Sequence, residues 1–239
     1  MRIALIGYGK MGHAIEALAS KRGHEIGLRI GSHNLEELTP ENLRQCDVAI
    51  EFTRPEAAFG NVTRCLEAGV PVVCGTTGWR ADLPRAIERC QQSGGAFLYA
   101  SNFSVGVNVV FAVNARLAAL LCRFPEYRAS IDETHHTEKR DAPSGTAVTL
   151  AEGILQHCDR YTGWQLTPLT DNQKIPITAH RLPNVPGTHL VKWHSPIDTI
   201  ELKHTAHSRE GFAMGAILAA EWIRGKKGFF TMQDVLGVG

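Results

Sequence analysis

The chain has 239 residues, 44% of them hydrophobic and 21% charged, which is the composition of a folded globular protein long enough for one large domain or two modest ones. Lys plus Arg number 25 against 24 for Asp plus Glu, so no excess of positive charge points to nucleic acid or to an anionic membrane as partner. Six cysteines, at 46, 65, 74, 90, 122 and 158, form no C-x-x-C pair; the expectation is reduced thiols in a cytoplasmic protein, without a zinc site.

The first hundred residues alternate short apolar runs with helical periodicity. RIALIG (2–7), EIGLRI (25–30), DVAIEF (47–52), VPVVCG (70–75) and AFLYA (96–100) read as strands, with helices near 11–22, 55–68 and 80–92 between them. Strands rich in Val, Ile and Leu separated by helices predict a parallel sheet covered on both faces. The expectation is of no secretory leader, because MRIALIGYGKMG reads directly as a strand and a glycine loop. The most apolar long run, VGVNVVFAVNARLAALLC (105–122), carries Asn108, Asn114 and Arg116 and is read as a half-buried helix rather than a membrane span.

Beyond residue 104 the rhythm changes. YRASIDETHH is a strand that ends in histidines, a helix follows near 144–157, and a turn-rich stretch leads to three strand-like runs near 175–182, 188–194 and 197–204. Their short connections suggest antiparallel pairing. EGFAMGAILAAEWIRG (210–225) is a last helix, stopped by Gly225. The predicted fold class is α/β, a Rossmann-like domain made of 1–104 and 210–239 with an α+β substrate and oligomerisation domain inserted at 105–209.

GYGKMG sets Gly7, Gly9 and Gly12 in G-x-G-x-x-G spacing, directly after the first strand and before a helix. The three glycines permit a tight turn, backbone approach to a pyrophosphate, and close helix–strand packing, so the loop predicts a dinucleotide site. The end of the second strand, LRIGSH (28–33), carries no acid to bond a ribose 2′-hydroxyl, and Lys10, Arg29 and His33 lie in reach of a 2′-phosphate. This favours NADPH, or use of both cofactors, over strict NADH use; the alternative puts Arg29 and His33 on a solvated edge. GTTG (75–78) and YASNFSVG (99–106) follow the fourth and fifth strands, where ligands bind in open α/β sheets, and each reads equally well as a turn.

The densest chemistry lies in ETHHTEKRDAPSGTA (133–147). An imidazole at 135 or 136 can move a proton near neutral pH, and Lys139 offers a cation or a general acid. Asp141 or Ser144 caps the helix that follows, and the N–H groups of Gly145 and Thr146, with the Thr146 hydroxyl, form a carboxylate-sized anion site. Adjacent histidines on a strand face opposite ways, which argues against a shared metal ion.

GYGKMG, AIEFT, GTTGW, ASNFSVGVN, ETHHTEKRDAPSGTA, NVPGTH and KHTAHSREGFAMGA together resemble the 4-hydroxy-tetrahydrodipicolinate (dihydrodipicolinate) reductase family of the diaminopimelate route to lysine. The resemblance spans nearly the whole chain in order. It implies reduction of a cyclic dicarboxylic imine by NADPH or NADH, with His135 as catalytic acid/base and Lys139 as general acid. It further implies substrate contacts from His136, Ser144, Gly145 and Thr146. Gly7, Tyr8, Gly9, Lys10, Met11, Gly12, Ser32, Gly75, Thr76, Thr77, Tyr99, Ala100, Ser101 and Asn102 would line the cofactor, and four chains would assemble into a homotetramer. Where the family often has an acid followed by Arg, this chain has Gly31 and Ser32, and it is short for the family after the second strand.

Overall fold

The apolar run after Arg2 forms β1 (Arg2–Ile6), buried from Ile3 onward, as a strand inside a two-faced parallel sheet must be. In the computed structural model, which describes residues 1–208 and 210–238, the chain then continues through α1 (Lys10–Lys21), β2 (Glu25–Ile30), α2 (Pro40–Leu43), β3 (Val48–Glu51), α3 (Pro55–Glu67), β4 (Val72–Cys74), α4 (Leu83–Ser93) and β5 (Ala96–Tyr99). After α5 (Val105–Leu121) come β6 (Arg128–His135), α6 (Gly145–Leu155), β7 (Gly163–Leu166), β8 (Lys174–Arg181), β9 (Gly187–His194) and β10 (Thr199–Ala206). The chain closes with α7 (Glu210–Ile223), β11 (Gly228–Phe230) and α8 (Met232–Leu236). Contacts divide it into two units, Met1–Val105 with Glu210–Gly239, and Gly106–Arg209.

The first unit is a six-stranded parallel sheet in the order β11-β5-β4-β3-β1-β2, with a separate apolar core on each face. One core is closed by α3 and α4 through Val62, Cys65, Leu66 and Ala86; the other by α1 and α7 through Ile15, Ala19, Ile217 and Ala220. Helices on both faces and strands reversing order about β1 make this a Rossmann-like layer, whose switch point lies between β1 and β3. The terminal β11 and α8 had no expectation from sequence. β11 is only three residues long, too short to show a period, and pairs with β5 across the chain.

The second unit is a five-stranded mixed sheet, β10-β9-β6-β8-β7. Here β9 and β10 pair antiparallel, as their short connection suggests, but β8 does not pair with β9: β6 lies between them, parallel to β8 and antiparallel to β9. β7 emerges from the stretch read as turns, its four residues all half-buried at the sheet edge. One face of this sheet packs its alternate residues, Ala129 and Ile131 of β6 with Val191 and Trp193 of β9, under α5 and α6. Cys122 at the end of α5 is disulfide-bonded to Cys158 after α6. That pair corrects the expectation of six free thiols: 36 residues of sequence separate the two, and only the packing of the helices brings their Cα atoms to 5.5 Å. The other four cysteines are free and buried. Among the described residues no helix is long and apolar enough to cross a membrane, and α5 is half-buried, with Val109, Val113 and Leu120 exposed.

Candidate active site

The outer two glycines of the loop after β1 have a visible steric reason. Gly7 holds φ +98°, and a Cβ there would sit 1.9 Å from the Phe52 carbonyl oxygen; at Gly12 it would sit 2.6 Å from the Gly7 oxygen. At Gly9, which caps α1, an added Cβ would meet nothing within 4 Å. The outer two glycines therefore allow the turn and the helix packing, while the middle one leaves open space at a helix N-terminus. That is the shape a pyrophosphate requires, so the loop fits a dinucleotide.

The flanking side chains are more committed than their sequence suggests. Tyr8 donates its hydroxyl to Glu16, and Arg29 reaches the same carboxylate while also bonding the Ile26 oxygen at 3.3 Å. The guanidinium considered for a 2′-phosphate is thus held by α1. Lys10 and Ser32 are exposed, and Met11 packs against the core. The loop beyond β2 is tied by Asn34, whose amide accepts from Gly31 N and donates to the Arg29 oxygen.

The loops after β3, β4 and β5 lock together. Gly75 exists because a Cβ there would lie 2.1 Å from the Phe52 ring. Thr76 is buried, its hydroxyl accepting from Thr53 N at 2.7 Å and its carbonyl from Trp79 Nε1 at 2.7 Å, while Thr77 is exposed. Tyr99 stacks edge-on against Trp79, Ala100 is buried, Ser101 is exposed, and the Asn102 side chain accepts from Ser104 N. All of these residues belong to the first unit.

In the second unit the two-residue period of β6 puts Ala129, Ile131, Glu133 and His135 on the core face, so a carboxylate and an imidazole end a row of apolar side chains. Glu133 is fully buried and His135 is 8% exposed. Register brings the rest: His189 of β9 lies opposite Glu133, and Arg181 of β8 opposite His135. His135 Nδ1 is 3.1 Å from Glu133 Oε2, an ion-pair distance without the alignment of a straight hydrogen bond. Glu133 Oε1 accepts from Ser144 N at 3.0 Å and from Arg181 Nη2 at 3.2 Å. Burial pushes the Glu133 carboxyl up, but its contact with His135 and the hydrogen bond from Ser144 outweigh burial and hold it down at about 2. Burial, reinforced by His135, pushes His189 down to about 3, so its imidazole is neutral and shares a 3.2 Å hydrogen bond with Ser144 Oγ.

Ser144, rather than Asp141, caps α6, its hydroxyl accepting from Ala147 N at 3.2 Å. Gly145 is exposed with open space where a side chain would be, and Thr146 follows it in the first turn. Lys139 Nζ is 2.9 Å from Asp141 Oδ2. Burial raises the Asp141 carboxyl, and the Lys139 contact outweighs this and lowers it. The loop carrying both is strapped by Arg181, which donates to the Lys139 and Asp141 carbonyl oxygens at 3.3 and 2.6 Å. His136 lies just past the strand end, half-buried.

Sequence reasoning gave no role to Glu133, Arg181 or His189. A signal for Glu133 was present: it precedes His135 by two residues on a strand, which places both on one face. Glu133, His135 and His189 each bring one donor atom within 4.8 Å of the others. The Arg181 guanidinium on the same carboxylate already answers its charge, which weakens the trio as a cation site.

A Rossmann-like unit with an open glycine loop, joined to a unit that gathers an imidazole, an ammonium and a capped helix N-terminus, defines an NAD(P)H-dependent oxidoreductase acting on a small molecule. Residues 1–103 match the family model of dihydrodipicolinate reductase, N-terminus, and residues 106–236 that of its C-terminus. The chain is 49% identical to the 4-hydroxy-tetrahydrodipicolinate reductase of Christiangramia forsetii, over 99% of this chain and 98% of the relative. It is 36% identical to that of Neisseria meningitidis serogroup A, over 93% and 84%. A solved dihydrodipicolinate reductase from Paenisporosarcina sp. TG-14, described with dipicolinate bound, shares the fold with a TM-score of 0.78 at 22% identity, over 98% of both chains. The chain belongs to the 4-hydroxy-tetrahydrodipicolinate reductase family, NAD(P)H oxidoreductases of the diaminopimelate pathway to lysine.

Proposed function

We propose that the inserted unit binds the cyclic dicarboxylic imine and protonates it as it is reduced, while the first unit holds the dinucleotide. The cofactor, when bound, supplies the hydride. Gly7, Tyr8, Gly9, Lys10, Met11 and Gly12 hold its pyrophosphate, Ser32 faces the adenosine ribose, and Gly75, Thr76, Thr77, Tyr99, Ala100, Ser101 and Asn102 border its nicotinamide half. Glycine backbone and small hydroxyls allow that close approach.

Ser144, Gly145 and Thr146 at the start of α6 take one substrate carboxylate, which a helix N-terminus favours, and His136 takes a further substrate contact. Lys139 exchanges Asp141 for substrate and, with His135, delivers the proton that the electron-rich reduced carbon requires. The observation that carries this reading is the buried Glu133–His135 pair at the strand end, on the segment that also supplies Lys139 and the N-terminus of α6. A non-catalytic dinucleotide sensor would have no use for that set.

The test is oxidation of NADPH and of NADH with the condensation product of pyruvate and aspartate semialdehyde, made in situ. His135→Ala and Lys139→Ala each lower turnover by ~10²–10⁴-fold with cofactor affinity kept. Near-normal turnover in both refutes the assignment, and the two cofactor arms give the nicotinamide preference. The protein is further proposed to work in the cytoplasm as a homotetramer built on the inserted unit.

A further inference from the structure

We propose that Glu133 is a positioning residue of the reaction, its buried carboxylate gripping His135 Nδ1 through one oxygen and the amide that opens α6 through the other. This rests on the assignment of His135 to proton transfer. The two oxygens have separate partners: Oε2 faces His135 at 3.1 Å, and Oε1 takes Ser144 N at 3.0 Å and Arg181 Nη2 at 3.2 Å. One side chain therefore fixes both the proton donor and the loop that presents the anion site.

An Nδ1 facing a carboxylate keeps its proton, so the neutral His135 ring is the Nδ1–H tautomer and Nε2 is the atom that exchanges protons with substrate. The structure keeps the space over that atom small-sided. A Cβ added to Gly187 would lie 3.1 Å from His135 Nε2, so glycine there leaves Nε2 uncrowded.

The surrounding charges leave Glu133 as the carboxylate that acts on the ring. From β9, His189 stacks edge-on at a 5.0 Å ring separation and is neutral; from β10, His204 acts on His189, as does Lys139 from the loop. From β8, Arg181 balances the other oxygen of Glu133.

Glu133→Gln separates the two arms. The carboxamide keeps a carbonyl oxygen for Ser144 and Arg181, and turns an N–H donor against His135 Nδ1, forcing the opposite tautomer. The expected result is a kcat lowered by on the order of 10²-fold. KM for the imine stays within about threefold, and cofactor affinity is unchanged, because the anion-site arm is retained.

In the His135→Gln background, Glu133→Gln adds less than about twofold, because the carboxylate then has no ring to position. A wild-type kcat in Glu133→Gln, or a multiplicative loss in the double variant, overturns the proposal. Near-normal turnover in His135→Gln alone overturns instead the assignment of His135 on which it rests. Should Glu133→Gln fail to fold, imidazole ¹⁵N spectra of the wild-type protein, with His135 identified by its loss in His135→Gln, decide the matter. The neutral ring protonated on Nδ1 supports the proposal, and protonation on Nε2 overturns it.

Discussion

Glu133 is fully buried and still ionised, and its folded pKa of about 2 stands below the ordinary 4.5. The unfolded chain therefore takes up this proton first as pH falls. The stabilisation is whole above pH 4.5 and is lost as pH drops toward 2, a gap that corresponds to about 3 kcal/mol. Glu133→Gln lacks this dependence. In urea unfolding, the stability difference between wild type and variant should shrink by about that amount across the window; a difference independent of pH would refute the ionised, paired state. Residue chemistry was partly legible in advance. His135 and Lys139 stand out by type, and Glu133 by its spacing from His135. Arg181 and His189 did not, because each is a neighbour only through strand register.

At the scale of elements, β6 and α6 form one device. The strand delivers Glu133 and His135 to its core face, the turn holds half-buried Lys139 against Asp141, and Ser144 closes the first turn of α6 while its amide returns to Glu133. Removing the Ser144 hydroxyl leaves the Ala147 N–H without its acceptor and His189 Nε2 without its partner. Ser144→Ala should lower the unfolding free energy by about 1 kcal/mol, measured by chemical denaturation. A change below a few tenths would show that the cap contributes nothing. The glycine loop was the most legible element, because the demands on Gly7 and Gly12 are local and steric. The β7 edge strand, β11 and α8 were illegible, because each is too short for a periodicity, and β11 exists only by pairing with β5 far along the chain.

For the molecule as a whole, the five-stranded sheet of the inserted unit uses one face for its core. The other carries half-buried residues at alternate positions of β6 and β9, among them Asp132 opposite Leu190. A single chain leaves that surface to water, and pairing such sheets would bury it, which supports the tetramer proposed above. Light scattering on the purified protein should give a particle of four chains, and Leu190→Glu, on that face, should shift it toward smaller species. A single-chain mass for the wild type would refute the assembly.

The sequence by itself determined the alternation of strands and helices, the dinucleotide loop, the inserted unit and the segment proposed to carry the proton chemistry. Each of these is written in short-range periodicity and residue type, which the chain cannot satisfy in another way. Only the tertiary structure decided that β6 separates β8 from β9, that Cys122 meets Cys158, that Arg29 is held by Glu16, and that Glu133 is ringed by His135, His189, Ser144 and Arg181. Those pairings join residues far apart along the chain, and they are fixed by which packing of the whole buries the apolar faces together, a choice that no local pattern records.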